Sequence, residues 1–386
     1  MGSEMCIRDR VLAMNEFRSA VKPSLLHVLQ RTRNAQCTDP RDAVYAKLAL
    51  AGDASRIARR PDYSISIADL LCRITSMYIA GQGILYTICL AQPSDGPLPS
   101  WVVDWTAASV RRPIYAELLS STSLSVTRTG TPRCIVEEPR NILLVDGTII
   151  DTLGKPAKLA VGYYQAQTTP FSGLDEAHSR ARQQATQALQ TIASTLIAGQ
   201  RCPLNNTDPD DARLILTLLG VRAARLFGHK GPEPGYSYIF RWKDGLSHFD
   251  RWCLENRRLP IHGQRFDIWI AEWFWAVGSE ACEWVLRYRR HEITRVLEGY
   301  ESCAEMMLHG RIVLPSLSGR AVLVPSHARA GDLVCILFEC PVPVVLRRVD
   351  DHYILVGECY VDDFFNGNGF DLLDEEASDE LRFNIR

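Results

Sequence analysis

Apolar positions fall at helical spacing early in the chain, give way to short continuous runs near Ile142, return to helical spacing up to Leu308, and then alternate with period two. Asp39 before Pro40 predicts a helix start. The carboxylate can accept a first-turn N–H, and proline there loses only an N–H that has no helical partner. Asp42 adds negative charge near the positive helix end. Val44, Tyr45, Leu48 and Ala49 then share one face, and Gly52 is a natural stop. Ser66 with Asp69 forms a capping-box pattern ahead of the stripe Leu70, Leu71, Ile74, Met77 and Tyr78. Leu98–Trp105 reads as an extended segment, with Trp101, Val103 and Trp105 on one face and Asp104 opposite. Its expected role is a buried anchor.

Cys134–Val136 and Asn141–Thr152 read as strands. The run Ile142–Val145 is nearly continuous apolar and should be well buried, with Gly147 marking a bend or bulge. Gly173–Ala198 predicts a helix with Ala177, Ala181, Ala185, Leu189, Ile192 and Leu196 inward. Asp208-Pro209 repeats the helix start, continued by Leu214, Leu218 and Val221. From Gln264 to Tyr300 the aromatic positions Phe266, Trp269, Trp273 and Phe274 fall at helical spacing, which seats the segment in a core. A ligand groove lined by Trp269, Trp273 and Trp275 is the alternative. Arg311–Leu314, Ala321–Val324, Leu333–Phe338, Val342–Arg348 and Tyr353–Tyr360 read as short strands. Pro341 and Pro343 require the fourth to start at an edge or after a tight turn. Five short strands suggest a small barrel or curled sheet. The expected class is therefore α+β, mostly helical in the centre with a small C-terminal β module. The divisions are 1–10, 11–152, 153–309, 310–362, and an acidic, loosely ordered tail at 363–386.

Composition excludes more than it selects. At 386 residues there is room for two or three domains, and the net charge of −2 supplies no field to attract nucleic acid or an acidic membrane. The arginines at 56–60 and 287–290 read as solvated faces. No apolar run is long enough to span a bilayer, and no secretory leader is visible. The 12 cysteines are dispersed without a C-x-x-C pair, which fits reduced, buried thiols in an intracellular, cytoplasmic setting. Zinc held by Cys335, Cys340, Cys359, His327 and His352 is the sharper reading, but the spacing matches no finger or ribbon. The first ten residues differ from the rest. One back-translation of Glu4–Arg10, GAG-ATG-TGT-ATA-AGA-GAC-AG, matches a transposase adapter. The segment is read as an assembly scar and left out of fold reasoning.

Three ordered blocks resemble the region that follows the HET domain in fungal heterokaryon-incompatibility proteins. The first is Thr38-Asp39-Pro40-Arg41-Asp42-Ala43-Val44-Tyr45-Ala46, then Pro61-Asp62-Tyr63, then Leu98-Pro99-Ser100-Trp101-Val102-Val103-Asp104-Trp105. The second is Ile142–Asp151. The third runs from Gly331-Asp332 through Pro343–Arg347 to Gly357-Glu358-Cys359-Tyr360. The resemblance implies an accessory or regulatory region in non-self recognition and programmed cell death. Its partner would be another protein or a HET domain missing from this chain, and the motif residues would be structural.

Catalytic motifs are missing from the sequence: it carries no G-x-S-x-G elbow, P-loop, H-E-x-x-H or complete G-x-G-x-x-G. A nucleophile pair of Cys359 with His352 or His327 has nothing nearby to lower the thiol pKa. Glu272 and Glu280 share one helix and cannot flank a substrate. The expectation is no catalytic activity, no cofactor and no metal. The alternative is an autonomous ligand-binding protein or hydrolase using the aromatic groove. Glu358, between apolar neighbours, needs a partner if buried, and hairpin register nominates Arg347 or Arg348.

Overall fold

Ser24 opens the first helix, α1 (Leu25–Arg31), its hydroxyl accepting the His27 N–H at 3.3 Å. The computed structural model describes residues 22–33, 35, 37–57, 60–81, 83–93, 97–109, 111–114, 134–137, 141–155, 175–199, 209–229, 247–285, 288, 290–365 and 380–386. The segment 1–10 and the acidic stretch 371–379 lie outside these residues. The helix starts later than the Asp39-Pro40 pair predicts: α2 (Asp42–Tyr45) is one turn with Arg41 at its N-cap and no side-chain cap, because the Asp39 carboxylate is taken by Arg41, and a 3-10 turn follows at Leu48–Leu50. The change of pitch leaves Ala49 exposed, so the expected four-residue face reduces to Val44, Tyr45 and Leu48. Gly52 donates its N–H to the Pro23 carbonyl at 2.8 Å. The next helix, α3 (Ile67–Ser76), is capped by Ser66, which accepts the Asp69 N–H. Leu70, Leu71, Ile74 and Tyr78 are buried as its stripe requires. Residues 97–105 follow turns and bends rather than a strand, and Val102 is buried along with Trp101, Val103 and Trp105. The segment is an anchor whose four residues Trp101, Val102, Val103 and Trp105 are all buried, with Asp104 half-buried.

The β elements divide differently from their order in sequence. β1 (Cys134–Glu137) pairs with β2 (Ile142–Thr152). Far along the chain come β3 (Pro260–Ile261), β4 (Gln264–Arg265), β5 (Arg311–Pro315), β6 (Ala321–Pro325), β7 (Leu333–Leu337), β8 (Val344–Val349), β9 (His352–Glu358), β10 (Tyr360–Val361) and β11 (Leu381–Ile385). Strands β2, β11, β9, β8 and β7 close into a five-stranded barrel because β2 pairs with both β11 and β7. Its first half meets β11, with Val145 opposite Phe383, and its second half meets β7, with Ile149 opposite Cys335. Gly147 sits at the handover. A Cβ there would stand 2.4 Å from the Ile336 carbonyl oxygen, so the close approach admits glycine alone. The register shift lies further on, between Ile149 and Asp151. β8 begins directly after Pro343, as proline demands.

Two expectations change here. The first two strands of the presumed five, β5 and β6, leave the barrel and join β10 in a three-stranded sheet. The expected loose tail ends in a strand. Alternating Phe383 and Ile385 are wholly buried, and β11 lies between β2 and β9. The barrel strands are apolar on both faces because each face has its own core. Cys335, Leu337, Val344, Leu346 and Leu355 join the main core shared with the helices. Val334, Ile336, Val345 and Val356 face a smaller core with Val322, Val324 and Val361 of the three-stranded sheet.

Between β2 and β5 run α4 (Asp175–Leu196), α5 (Pro209–Leu226), α6 (His248–Glu255), α7 (Phe266–Val285) and α8 (Arg290–Leu308). α7 packs on α4 and α5. Trp269 and Trp273 are buried, Trp269 donating its indole N–H to the Ile261 carbonyl at 2.8 Å, whereas Trp275 is 77% exposed on the opposite side. The three tryptophans therefore line no common groove. The class is α+β. No helix among the described residues is long and apolar enough to cross a membrane.

Barrel closure by β11 can be measured. Phe383→Ala should destabilise the chain by about 3–5 kcal/mol in urea unfolding, the usual cost of emptying a fully buried aromatic site. A loss under about 1 kcal/mol would mean that β11 does not complete the barrel.

Candidate functional site

The motif residues gather into two networks. The first lies at the surface. Asp39 accepts the Arg41 backbone N–H at 2.9 Å and its guanidinium through both carboxylate oxygens, at 3.0 and 2.9 Å. The Arg41 bonds hold the Asp39 carboxyl below its ordinary range. Arg41 then reaches the Tyr63 and Ile65 carbonyls and lies over the Tyr63 ring, 5.3 Å from its centroid. Tyr63 returns a hydroxyl to Asp42 at 2.6 Å, and Tyr45 donates to the Asp62 carbonyl at 2.8 Å. The Asp42 bond pushes the Tyr63 phenol up. Pro40 gives its carbonyl to the Ala43 N–H, and Asp62 accepts from the Ser64 hydroxyl and N–H behind exposed Pro61. These two motifs are a clamp between two loops.

The second network is buried and joins the amino-terminal block to the barrel. Pro99 accepts the Val102 N–H, and the Trp101 indole donates to the Asn141 carbonyl at 3.1 Å. Asp104 turns its side chain to the Thr106 N–H and hydroxyl, leaving its carbonyl for Arg33 at 3.0 Å. Arg33 also donates to the Leu90 and Ala107 carbonyls and stacks over Trp105. Beside it, Arg111 donates to the Ala91 carbonyl at 3.4 Å.

Arg111 faces the third motif block. A Cβ on Gly357 would come within 3.0 Å of the Arg111 guanidinium, and its φ of 140° also favours glycine. Glu358 is 2% exposed and accepts from Arg311 at 2.6 Å and from the Ile114 N–H at 2.9 Å. Arg311, 4% exposed, continues to the Met307 and Arg112 carbonyls. Arg347, the partner expected from register, stands opposite Ile354 and makes a two-pronged bond to Asp332 at 2.8 Å, while Arg348 stands opposite Tyr353. The hairpin therefore does not supply the counter-ion; β5, from the other sheet, does. Gly331 and Asp332 meanwhile exchange backbone bonds with Leu153 at 2.8 Å, tying the second and third blocks together. Cys359 is buried, its N–H on the Pro343 carbonyl. Tyr360 donates to Asp362 at 2.8 Å.

Electrostatics sets the limits of this centre. Two buried guanidiniums, Arg111 and Arg311, act on one buried carboxylate, and Arg33 acts on Arg111. Burial pulls Arg111 down to about 10, opposed by Glu358 and reinforced by Arg311 and Arg33. Burial pushes the Glu358 carboxyl up, against the pull of Arg311, the Ile114 N–H and Arg111. Among the described residues, Arg111 Nη1, Arg311 Nε and Glu358 Oε2 are buried without a hydrogen-bond partner. Isolated charges in such a place would cost several kcal/mol each, so removing one partner endangers the rest. Burial drives the Cys359 thiol far above its ordinary value, His327 is bonded to the Val356 carbonyl, and His352 pairs with Asp351. No group of three metal-ligating side chains occurs among the described residues. The sequence reading missed Arg33, Arg111 and Arg311. Parity could have found the last, because Arg311 shares the buried face of β5 with Val313.

No protein-family model matches the chain, and no solved structure matches it. Among curated proteins it is similar to heterokaryon incompatibility protein 6, OR allele, of Neurospora crassa, at 25% identity over 367 residues, covering 88% of this chain and 50% of that protein. The chain thus spans about half the length of the curated relative it matches.

Two measurements test the centre. In double-mutant cycles, Glu358→Gln should cost about 3 kcal/mol and couple to Arg311→Met by more than about 1 kcal/mol, while Arg347→Ala and Arg348→Ala couple by less than about 0.5. The reverse pattern would restore the hairpin pairing. His327 supplies a pH test. Burial, then Arg111, lowers its pKa, with Asp332 opposing and Arg347 reinforcing. Below the ordinary value of about 6.5 the unfolded chain binds a proton that the folded chain refuses, so stability falls as pH drops through that window. His327→Gln should flatten the slope between about pH 7 and 5; an unchanged slope would assign it to other groups.

Proposed function

We propose that this chain is an accessory, regulatory region of a heterokaryon-incompatibility protein, without catalytic activity of its own, acting on a HET domain supplied outside it. The observation carrying the reading is the match to the Neurospora protein, which runs along most of this chain but half of that one. The networks support it. The motif residues are spent on clamps and a buried charge centre rather than on an open cleft. Arg41, Tyr45 and Tyr63 hold loops, and Glu358 holds Arg311. In this role the chain holds or gates a death-inducing domain, its contribution being a rigid platform.

The test is expression in a filamentous fungus of the chain alone, a HET domain alone, and the two joined. The chain alone should leave growth unchanged, and joining it should alter the killing by the HET domain. A chain that kills by itself, or that leaves killing unaltered when joined, overturns the reading.

A further inference from the structure

Cys89 and Cys340 are 251 residues apart in sequence, yet their Sγ atoms stand 3.7 Å apart. Both side chains are buried, and both are free thiols. Cys89 lies on the 3-10 helix Leu85–Leu90 of the amino-terminal block. Cys340 lies in the turn between β7 and β8, directly after Glu339, whose φ is 71°. A non-glycine residue in the left-handed region persists only where its surroundings hold it there. Here the turn is pinned by the Cys340 N–H on the Leu337 carbonyl at 3.0 Å, and it carries Cys340 into the main core. The contact therefore bridges the two halves of the molecule, helical block and barrel.

We propose that Cys89 and Cys340 are a modification site: under hydrogen peroxide they form a disulfide that staples the amino-terminal block to the barrel. In the first step one thiol attacks peroxide. An S–O bond forms, the O–O bond breaks, and the products are a sulfenic acid and water. In the second step the other thiol displaces hydroxide from that sulfur. The S–S bond forms, the S–O bond breaks, and a second water leaves with the thiol proton. The two sulfurs lose two electrons and the peroxide gains them. The sulfurs must close from 3.7 Å to about 2.05 Å, a small shift for a turn and a 3-10 helix.

Burial decides the tempo. The thiolate is the attacking species, and contact with Cys340 together with burial holds the Cys89 thiol well above its ordinary value. Oxidation then waits on local opening, which makes the pair respond to sustained rather than brief oxidant. The position gives the bond a consequence. Leu90 and Ala91, which follow Cys89, lend their carbonyls to Arg33 and Arg111. Drawing Cys89 toward Cys340 moves acceptors of Arg33 and of Arg111, the second of which acts on Glu358.

The experiment uses the full chain. It is treated with peroxide, unfolded in the presence of N-ethylmaleimide, digested without reduction and mapped by mass spectrometry. The expected product is a peptide joining Cys89 to Cys340, absent in Cys89→Ser and in Cys340→Ala and released by dithiothreitol. The oxidised protein should also melt at a higher temperature than the reduced one, as a cross-link closing so long a loop requires, and Cys89→Ser should lose that difference. The wild-type map decides by itself if a variant fails to fold. Recovery of both cysteines as maleimide adducts, or as sulfinic acids, overturns the proposal. So does a disulfide between Cys335 and Cys359, the other buried thiols of the region, in place of the proposed one.

Discussion

The pairing of Arg311 with Glu358 is the constraint on which the remaining contacts depend. A carboxylate at the end of β9 is taken out of water, and that is tolerable only where a cation and hydrogen-bond donors reach it. The cation comes from β5 in the other sheet, a donor comes from Ile114 in the amino-terminal block, and Arg111 adds positive charge over Gly357. Arg311 in turn needs the Met307 carbonyl at the end of α8. One buried charge thus fixes the relative positions of the amino-terminal block, the last long helix, the three-stranded sheet and the barrel. Any of these elements shifting by an ångström would leave a guanidinium or a carboxylate unmatched.

The barrel shows the same logic in apolar terms. Its strands are apolar on alternating faces that look into two different cores, so over most of β7, β8 and β9 no solvent side marks the orientation, although Arg348 near the end of β8 is exposed. Such strands have little to choose between one register and the next slipped by a residue, apart from polar groups that fit in only one place. Asp332 with Arg347, and Glu358 with Arg311, are those groups. Buried pairs of this kind contribute modestly to net stability, because desolvation offsets their attraction. Their larger effect is to make the wrong register costly.

Local rules read correctly from the sequence, and distant pairings did not. The Ser66 cap, the stripe of α3, the start of α5 at Pro209 and the beginning of β8 after Pro343 each depend on a few neighbouring residues. The partner of Glu358 depends on a strand 47 residues away, and within the hairpin Glu358 stands opposite Val344 while Arg347 stands opposite Ile354, so the register never brought the two together. β11 was hidden for a related reason. Its short apolar alternation, Phe383 and Ile385, follows an acidic stretch that reads as a tail, and only the far edge of β2 explains why it orders. The aromatic groove failed because Trp275 falls on the opposite side of α7 from Trp269 and Trp273, a difference of helical angle that counting aromatics ignores.

The arrangement of the motifs bears on what kind of protein this is. A catalytic centre places its charged groups where substrate can reach them and leaves some bonding capacity to be completed by the substrate. The described motif residues instead bond largely to one another and to nearby backbone. The surface clamp closes on itself, with Arg41, Tyr45 and Tyr63 each returning to a motif neighbour. Among the described residues, unmet atoms of the charge centre, Arg111 Nη1, Arg311 Nε and Glu358 Oε2, lie where solvent does not reach. Residues so used specify one rigid arrangement of sequence blocks that are far apart along the chain. Rigidity of that kind is what the proposed accessory role would draw on, because a platform transmits force or contact only if its own parts do not yield.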